Sequence, residues 1–395
     1  MSRMVPPSFA VLAVVAVSAL AVGLGACGAG GPTQVGAVLP LSGQYSIYGE
    51  PIRQGLELAY EQVQADEELG LELALTIEDS AGDPAQAARL ALQMYNQGAV
   101  AVIGGVTTDE ALAMVASADR DDKVLLSPSA SSPRLTGISR NFFRIFPSDF
   151  REGTKMGNFA AQTLGIDSTV ILASQAPYAR GIQDIFKTEF ERYGGEVPAT
   201  IEYPVEVENF SDLVAQALDQ QPVAIYVADY AQNTAAIVLE LRSQGFAGKI
   251  LATSAFAAPE VFADVGAAAE GVILTQTAMP PDDPAVAAFS EAYEAKFGTA
   301  PSLWAAHGYD ALMVLVAAMQ EGGTTPSDLW KGMRSIRNYQ GASGVIQFDE
   351  RGDVSKFPRT YVVEDGALVD YDRAVEDQRQ EILRRIEQLN RAARN

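Results

Sequence analysis

The chain has one cysteine and one histidine. A lone thiol cannot close an internal disulfide, and with one imidazole there is no Cys/His zinc cluster. Any Ser/His/Asp arrangement would have to use His307, which sits in the helical run "SLWAAHGYDALMVLVAAM", where a packing role is expected. G-x-S-x-G, P-loop and H-E-x-x-H motifs are also missing. Basic residues are scarce, with 28 Lys and Arg against 50 Asp and Glu and a net charge of -22. That balance excludes recognition of nucleic-acid phosphates, which needs clustered cations. It also argues against binding to an anionic lipid surface through charge. The paired acids Asp121-Asp122 and Asp282-Asp283 lie in polar connections and read as solvated charges. No enzymatic activity, cofactor or metal is expected.

Only one long apolar run is present, Phe9 to Leu24, preceded by Arg3 without an acid and followed by small residues. This is the layout of a secretory signal. The run has about 16 residues, just short of the ~17–25 of a spanning helix. Leu24-Gly25-Ala26-Cys27 resembles the bacterial lipobox, which implies cleavage after residue 26 and a lipid on Cys27. Residues 27–33 would then be the lipidated cysteine and a glycine-rich linker. Gly28 fits either membrane, so the expected location is the periplasm or the outer face of the cell membrane. Loss of residues 1–26 removes only Arg3, taking the charge from -22 to -23. Gly23-Leu24-Gly25-Ala26-Cys27-Gly28 matches G-x-G-x-x-G but lies inside the export signal, so it is no dinucleotide site. Arg351-Gly352-Asp353 reads as an ordinary turn, and Asn209-Phe210-Ser211 as a sequon without consequence.

Beyond Thr33 the pattern alternates. Strands are expected at Val35–Leu39, Leu71–Ile77, Val100–Ile103 and Val124–Leu126, with helices at Pro51–Val63, after Asp83-Pro84, and at Asp109–Asp119. After Phe146-Pro147-Ser148-Asp149 the alternation restarts. Helices are expected at Phe150–Leu164, Arg180–Tyr193, Ser211–Leu218, Ala231–Gln244 and Pro259–Val265, and strands at Thr169–Ala173, Val197–Tyr203, Val223–Val227, Ile250–Ala252 and Val272–Thr275. Helices follow at Pro284–Phe297, Ser302–Gln320 and Ser327–Arg334, then strands Val345–Phe348 and Arg359–Val363. The tail, residues 373–395, reads as a charged helix with an Ile382, Ile386, Leu389 stripe. Two doubly wound α/β units imply a cleft, with ligand-facing residues just after strand ends.

The segments "VGAVLPLSGQYSIYGEPIRQGLELA", "VIGGVTTDEALAM", "LLSPSASSPRLT", "SQAPYARG", "IYVADYAQNTA", "WAAHGYDAL" and "GVIQFDERGDVSKFP" together resemble the type I periplasmic binding proteins of the leucine/isoleucine/valine-binding family. The resemblance implies two parallel-sheet lobes, 34–148 plus 277–343 and 149–276 plus 344–372. It also implies a three-strand hinge near Phe146–Asp149, Thr275–Ala278 and Gly344–Ile346, with a ligand cleft that closes. The implied activity is binding of a branched-chain type amino acid or related carboxylate for delivery to an ABC permease. A sensor or regulator of a membrane or cell-wall partner is the rival.

Thr107 and Glu110 fit a capping box, which would aim a helix N-terminus at the cleft. Positions matching the family's carboxylate site are Thr108, Ser129, Ala130 and Ser131. Tyr178 and Tyr230 match contact positions of the other lobe, and Tyr48 and Trp304 match aromatic walls. Where the family places an acid for an α-ammonium, this chain has Ser254. Asp229 is the candidate substitute. An amino acid, a branched-chain keto acid and an aromatic acid therefore all stay open.

Overall fold

The computed structural model describes residues 31–207 and 209–373. The signal, Cys27, most of the linker and the tail from 374 on lie outside the described residues. In chain order the elements are β1 (Thr33–Leu39), α1 (Ser46–Ala65), β2 (Leu73–Asp79), α2 (Pro84–Asn96), β3 (Ala101–Gly104), α3 (Thr108–Arg120), β4 (Val124–Ser127), β5 (Phe142–Arg144), α4 (Asp149–Asn158), β6 (Thr169–Ser174), α5 (Pro177–Arg192), β7 (Thr200–Tyr203) and α6 (Ser211–Leu218). There follow β8 (Ala224–Ala228), α7 (Ala231–Ser243), β9 (Lys249–Ala252), α8 (Pro259–Val265), β10 (Ile273–Thr277), α9 (Pro284–Phe297), α10 (Leu303–Gly322), α11 (Pro326–Ser335), β11 (Tyr339–Gly341), β12 (Gly344–Ile346), β13 (Pro358–Glu364) and β14 (Ala367–Asp370).

Two sheets organise residues 32–373. The first has the order β2-β1-β3-β4-β5 and is parallel throughout. The second has the order β14-β13-β10-β9-β8-β6-β7. Its β7 to β10 pairings are parallel, while β13 and β14 add antiparallel edge strands. The fold is thus α/β with two parallel-sheet lobes. Strands β3, β4, β6 and β8 are buried at every residue, as strands covered by helices on both faces must be.

The local causes are legible. Asp83 caps α2 by accepting the Gln86 amide at 2.6 Å, with Pro84 in the first turn. Thr107 and Glu110 form the capping box of α3: Thr107 Oγ1 accepts the Glu110 amide at 3.2 Å, and Glu110 accepts the Thr107 amide at 3.0 Å. Helices α1 and α10 pack along the first lobe through glycine. A Cβ on Gly308 would lie 2.2 Å from the Ile52 carbonyl, and one on Gly55 2.0 Å from the Ala305 carbonyl.

Some boundaries fall elsewhere than expected. Helix α1 starts at Ser46 rather than Pro51, so Tyr48 is helical and Pro51 sits inside the helix. Strands β5, β11 and β14 have three or four residues each, too short for periodicity to register. Strand β12 stays with the first lobe: it pairs with β11, and Phe348 packs edge-on against Phe143 of β5 at 5.3 Å. The chain therefore passes between sheets at 145–148, at 278–283 and after Phe348, the last passage later than Gly344–Ile346. Arg351-Gly352-Asp353 in that passage is more than a turn. Asp353 holds the buried Arg144 guanidinium at 2.7 and 2.9 Å. Among the described residues no helix is long and apolar enough to cross a membrane.

Candidate functional site

The site forms where strand ends of the two lobes face each other. Val106 and Thr108 follow β3, Ser129, Ala130 and Ser131 follow β4, and Phe146 follows β5. From the other lobe, Tyr178 follows β6, Tyr230 follows β8, and Ser254 and Ala255 follow β9. Tyr48 of α1 and Trp304 of α10 complete the lining of a narrow cavity. Gly105 makes the approach of α3 possible: its φ is +70°, and a Cβ there would meet Ala111 Cα at 2.7 Å.

The lobes are closed on this cavity. Tyr48 Oη donates to the Ala255 carbonyl at 2.9 Å and accepts the Ala231 amide at 2.8 Å. The Thr108 amide donates to Tyr230 Oη at 3.3 Å. Tyr45 and Tyr178 pack on the Tyr230 ring at 4.9 and 4.8 Å, and Trp304 meets Tyr48 at 5.1 Å and stacks on Phe146 at 5.6 Å. An aromatic wall of this kind gives an apolar slot with phenol hydroxyls at its rim.

Several polar atoms in or beside the cavity have no hydrogen-bond partner in the protein. They are Thr108 Oγ1, Tyr178 Oη and Trp304 Nε1, all buried. A buried polar atom left unpaired costs ~1–3 kcal/mol, so such atoms mark where a polar ligand would be held. Other expected donors are engaged. Ser129 Oγ donates to the Val106 carbonyl at 2.7 Å, and the Ala130 amide donates to Ser127 Oγ at 2.9 Å.

Nine of the ten residues expected to form the ligand site therefore line one cavity: Tyr48, Thr108, Ser129, Ala130, Ser131, Tyr178, Tyr230, Ser254 and Trp304. Asp229 does not, which corrects its candidacy as the partner of an ammonium. Its carboxylate is buried and fully committed. Oδ1 accepts Ser174 Oγ at 2.8 Å and the Tyr230 amide at 2.7 Å, and Oδ2 accepts Tyr203 Oη at 2.9 Å and Asn233 Nδ2 at 2.8 Å. It anchors Tyr230 rather than facing the ligand space. His307 is buried beneath, edge-on to Phe146 at 5.2 Å. Burial pushes its pKa well down, and no acid or nucleophile is bonded to it.

Sequence reasoning missed two acids. Asp149 and Glu152 open α4 and are both buried. Glu152 Oε1 accepts the Ser254 amide at 2.6 Å, and Oε2 accepts Ser254 Oγ at 2.7 Å. Burial raises the Glu152 pKa to about 7, with the Ser254 hydrogen bonds pulling the other way. Asp149 is raised by burial and by the charge of Glu152, and neither of its carboxyl oxygens has a partner. Their i, i+3 spacing, which places both on one helix face, was the available signal.

A second, wider groove lies outside, between α4 and the 349–358 passage, with Phe150 and Phe357 exposed and Arg151 over the Phe357 ring at 4.4 Å. Its buried carboxylate, Asp353, is taken up by Arg144 and Thr136. Among the described residues no group of acids, His or Cys is arranged to hold a metal.

A family model described as periplasmic binding protein matches residues 32–364. The Leu/Ile/Val-binding protein homolog 1 of Brucella abortus (strain 2308) is 25% identical over 322 residues, 81% of this chain and 86% of the relative. The leucine-, isoleucine-, valine-, threonine-, and alanine-binding protein of Pseudomonas aeruginosa is 24% identical over 326 residues, 81% of this chain and 87% of the relative. Among solved structures, a leucine binding protein, LivK, from Thermotoga maritima superposes with a TM-score of 0.82 at 29% identity, covering 86% of this chain and 97% of that one. A solute binding protein from R. palustris in complex with benzoate shares the fold, with a TM-score of 0.79 at 22% identity, over 86% and 96% of the two chains.

Proposed function

This chain belongs to the type I periplasmic binding protein family, in its leucine/isoleucine/valine-binding group, and from that membership we propose that it is the substrate-binding lipoprotein of an ABC importer. The family is extracytoplasmic and binds substrates without transforming them. Its members work with ABC transporters; the Pseudomonas aeruginosa relative is named for leucine, isoleucine, valine, threonine and alanine, and the R. palustris protein is in complex with benzoate.

The finer reading is that the protein closes on a small amino acid of branched-chain type or a related carboxylate. The observation that carries it is the meeting of nine residues from both lobes around one closed cavity with unpartnered hydroxyls. The carboxylate belongs at the start of α3, where the helix presents its positive end and Thr108 Oγ1 is uncommitted. A carboxylate there would take the Thr108 amide in place of the Tyr230 phenol. Hydrogen bonds to a charged group contribute ~1.5–3 kcal/mol each, so a few suffice for reversible micromolar binding. The aromatic wall takes the apolar side chain. The two lobes close about the three passages between the sheets, at 145–148, at 278–283 and after Phe348. The anchor is a lipid on Cys27, and the linker to residue 33 holds the lobes beside the permease.

Thermal-shift screening of the full chain against amino acids and organic acids tests this. One ligand class should raise the melting temperature, and the Thr108→Ala, Ser131→Ala double variant should lose the response. Stabilisation by none of them would favour a sensor or regulator that uses the fold to contact a protein partner.

A further inference from the structure

Ser254 faces the cavity, yet its proton is directed away from it. The Ser254 hydroxyl and amide both point at the Glu152 carboxylate, at 2.7 and 2.6 Å. A serine hydroxyl has one hydrogen and two lone pairs, and an ionised carboxylate only accepts. With Glu152 ionised, Ser254 Oγ can therefore offer the cavity only lone pairs. It accepts there and does not donate. With a proton on Oε2, Glu152 can donate to Ser254 Oγ, and the serine hydrogen is freed to donate into the cavity. The Ser254 amide continues to donate to Oε1 in both states.

A second observation points to the cavity from the same side. Tyr178 lines it, is 3% exposed, and its Oη has no partner in the protein. We propose that Glu152, acting through Ser254, is the specificity-determining residue of this site: ionised, it selects a ligand that presents a donor such as an ammonium, and protonated, it admits an acceptor such as a keto oxygen. The inference rests on the cavity being the ligand site. Glu152 itself does not line the cavity, so it is a positioning residue.

The charges around Glu152 fit this role. Asp149 lies one turn back on its own helix, Tyr178 comes from α5 and Tyr226 from β8. Arg144 lies near Asp149 but is held bidentately by Asp353. No cation in that set is free to fix the Glu152 charge. Its carboxyl, raised by burial to about 7, changes state in the neutral range. An ammonium-bearing ligand favours the ionised form, so its binding releases a proton to the buffer. An α-keto acid favours the protonated form and takes one up.

Calorimetric titration of the full chain with leucine and with its α-keto acid, 4-methyl-2-oxopentanoate, tests the proposal. It is run at pH 6 and pH 8, in buffers of different ionisation enthalpy, on wild type, Glu152→Gln and Ser254→Ala. Leucine should bind about tenfold more tightly at pH 8 than at pH 6 and release protons at pH 7, and the keto acid should show the reverse trend. In Glu152→Gln the amide donates to Ser254 Oγ as the protonated acid would. Leucine should weaken at least tenfold, its pH trend should vanish, and the keto acid should be spared. Ser254→Ala, which breaks the link without touching the acid, should also abolish the pH-dependent discrimination. Two ligands weakened equally by Glu152→Gln, with the pH trends kept, would overturn the proposal and leave the functional reading standing. Binding of neither ligand by wild type would overturn the inference together with the amino-acid or keto-acid reading.

Discussion

The buried charges Arg144, Asp149, Glu152 and Asp229 differ in how fully they are paired. Arg144, fully buried, is neutralised by Asp353 from more than 200 residues away, with Thr136 and the Ser132 and Ala130 carbonyls filling its remaining donors. Asp229 takes four donors, whereas Asp149 takes none. Glu152 lies between these extremes and has a consequence for stability. Its pKa is raised from an ordinary 4.5 to about 7 on folding, so the ligand-free folded state holds a proton that the unfolded chain has lost. That contribution is complete below about pH 4.5 and is lost as pH rises through about 7. The unfolding midpoint of wild type minus that of Glu152→Gln should therefore fall between pH 5 and pH 8. A constant difference would mean that Glu152 does not titrate there.

At the scale of elements, glycine decides how closely helices pack. Exposed-helix propensity favours Gly→Ala by up to ~1 kcal/mol. At Gly308 the added Cβ would sit 2.2 Å from the Ile52 carbonyl, so α1 and α10 would have to separate. Overpacking of this kind costs ~1–3 kcal/mol. Gly308→Ala should lower the melting temperature by several degrees, and an unchanged or raised value would show that the two helices can shift without cost. The same pair of helices shows the reach of the sequence. Their periodicity placed both, yet Pro51 suggested a start that the structure moves back to Ser46, because the Tyr45 carbonyl and the turn before it seat the first helical amides. That added turn carries Tyr48 to the cavity.

For the whole molecule, closure depends on few contacts across the cleft. Tyr48 contributes two of them, to the Ala255 carbonyl and from the Ala231 amide. Tyr48→Phe leaves that amide buried without its acceptor in the closed state, at ~1–3 kcal/mol. The dissociation constant for whichever ligand stabilises the protein should rise about tenfold, since about 1.4 kcal/mol is a factor of ten. An unchanged constant would show that the bound state does not keep these contacts.

The alternation of strands and helices, the caps at Asp83 and Thr107, and nine of the twelve residues that line the cavity were readable from the sequence. They depend on local propensity, on short-range hydrogen bonding and on motifs that keep their order. The pairing of Arg144 with Asp353, the withdrawal of Asp229 and the seating of Glu152 behind Ser254 were decided only by tertiary structure. Each joins residues from separate segments, and a carboxylate's availability depends on which donors reach it in space. Two of the donors that fill Asp229, the Tyr230 amide and Asn233, are its chain neighbours, but Ser174 and Tyr203 lie 55 and 26 residues away and reach it only in the folded sheet. Nothing adjacent to Ser254 reveals the acid behind it, because Glu152 lies 102 residues away and meets it only when α4 packs beneath the end of β9.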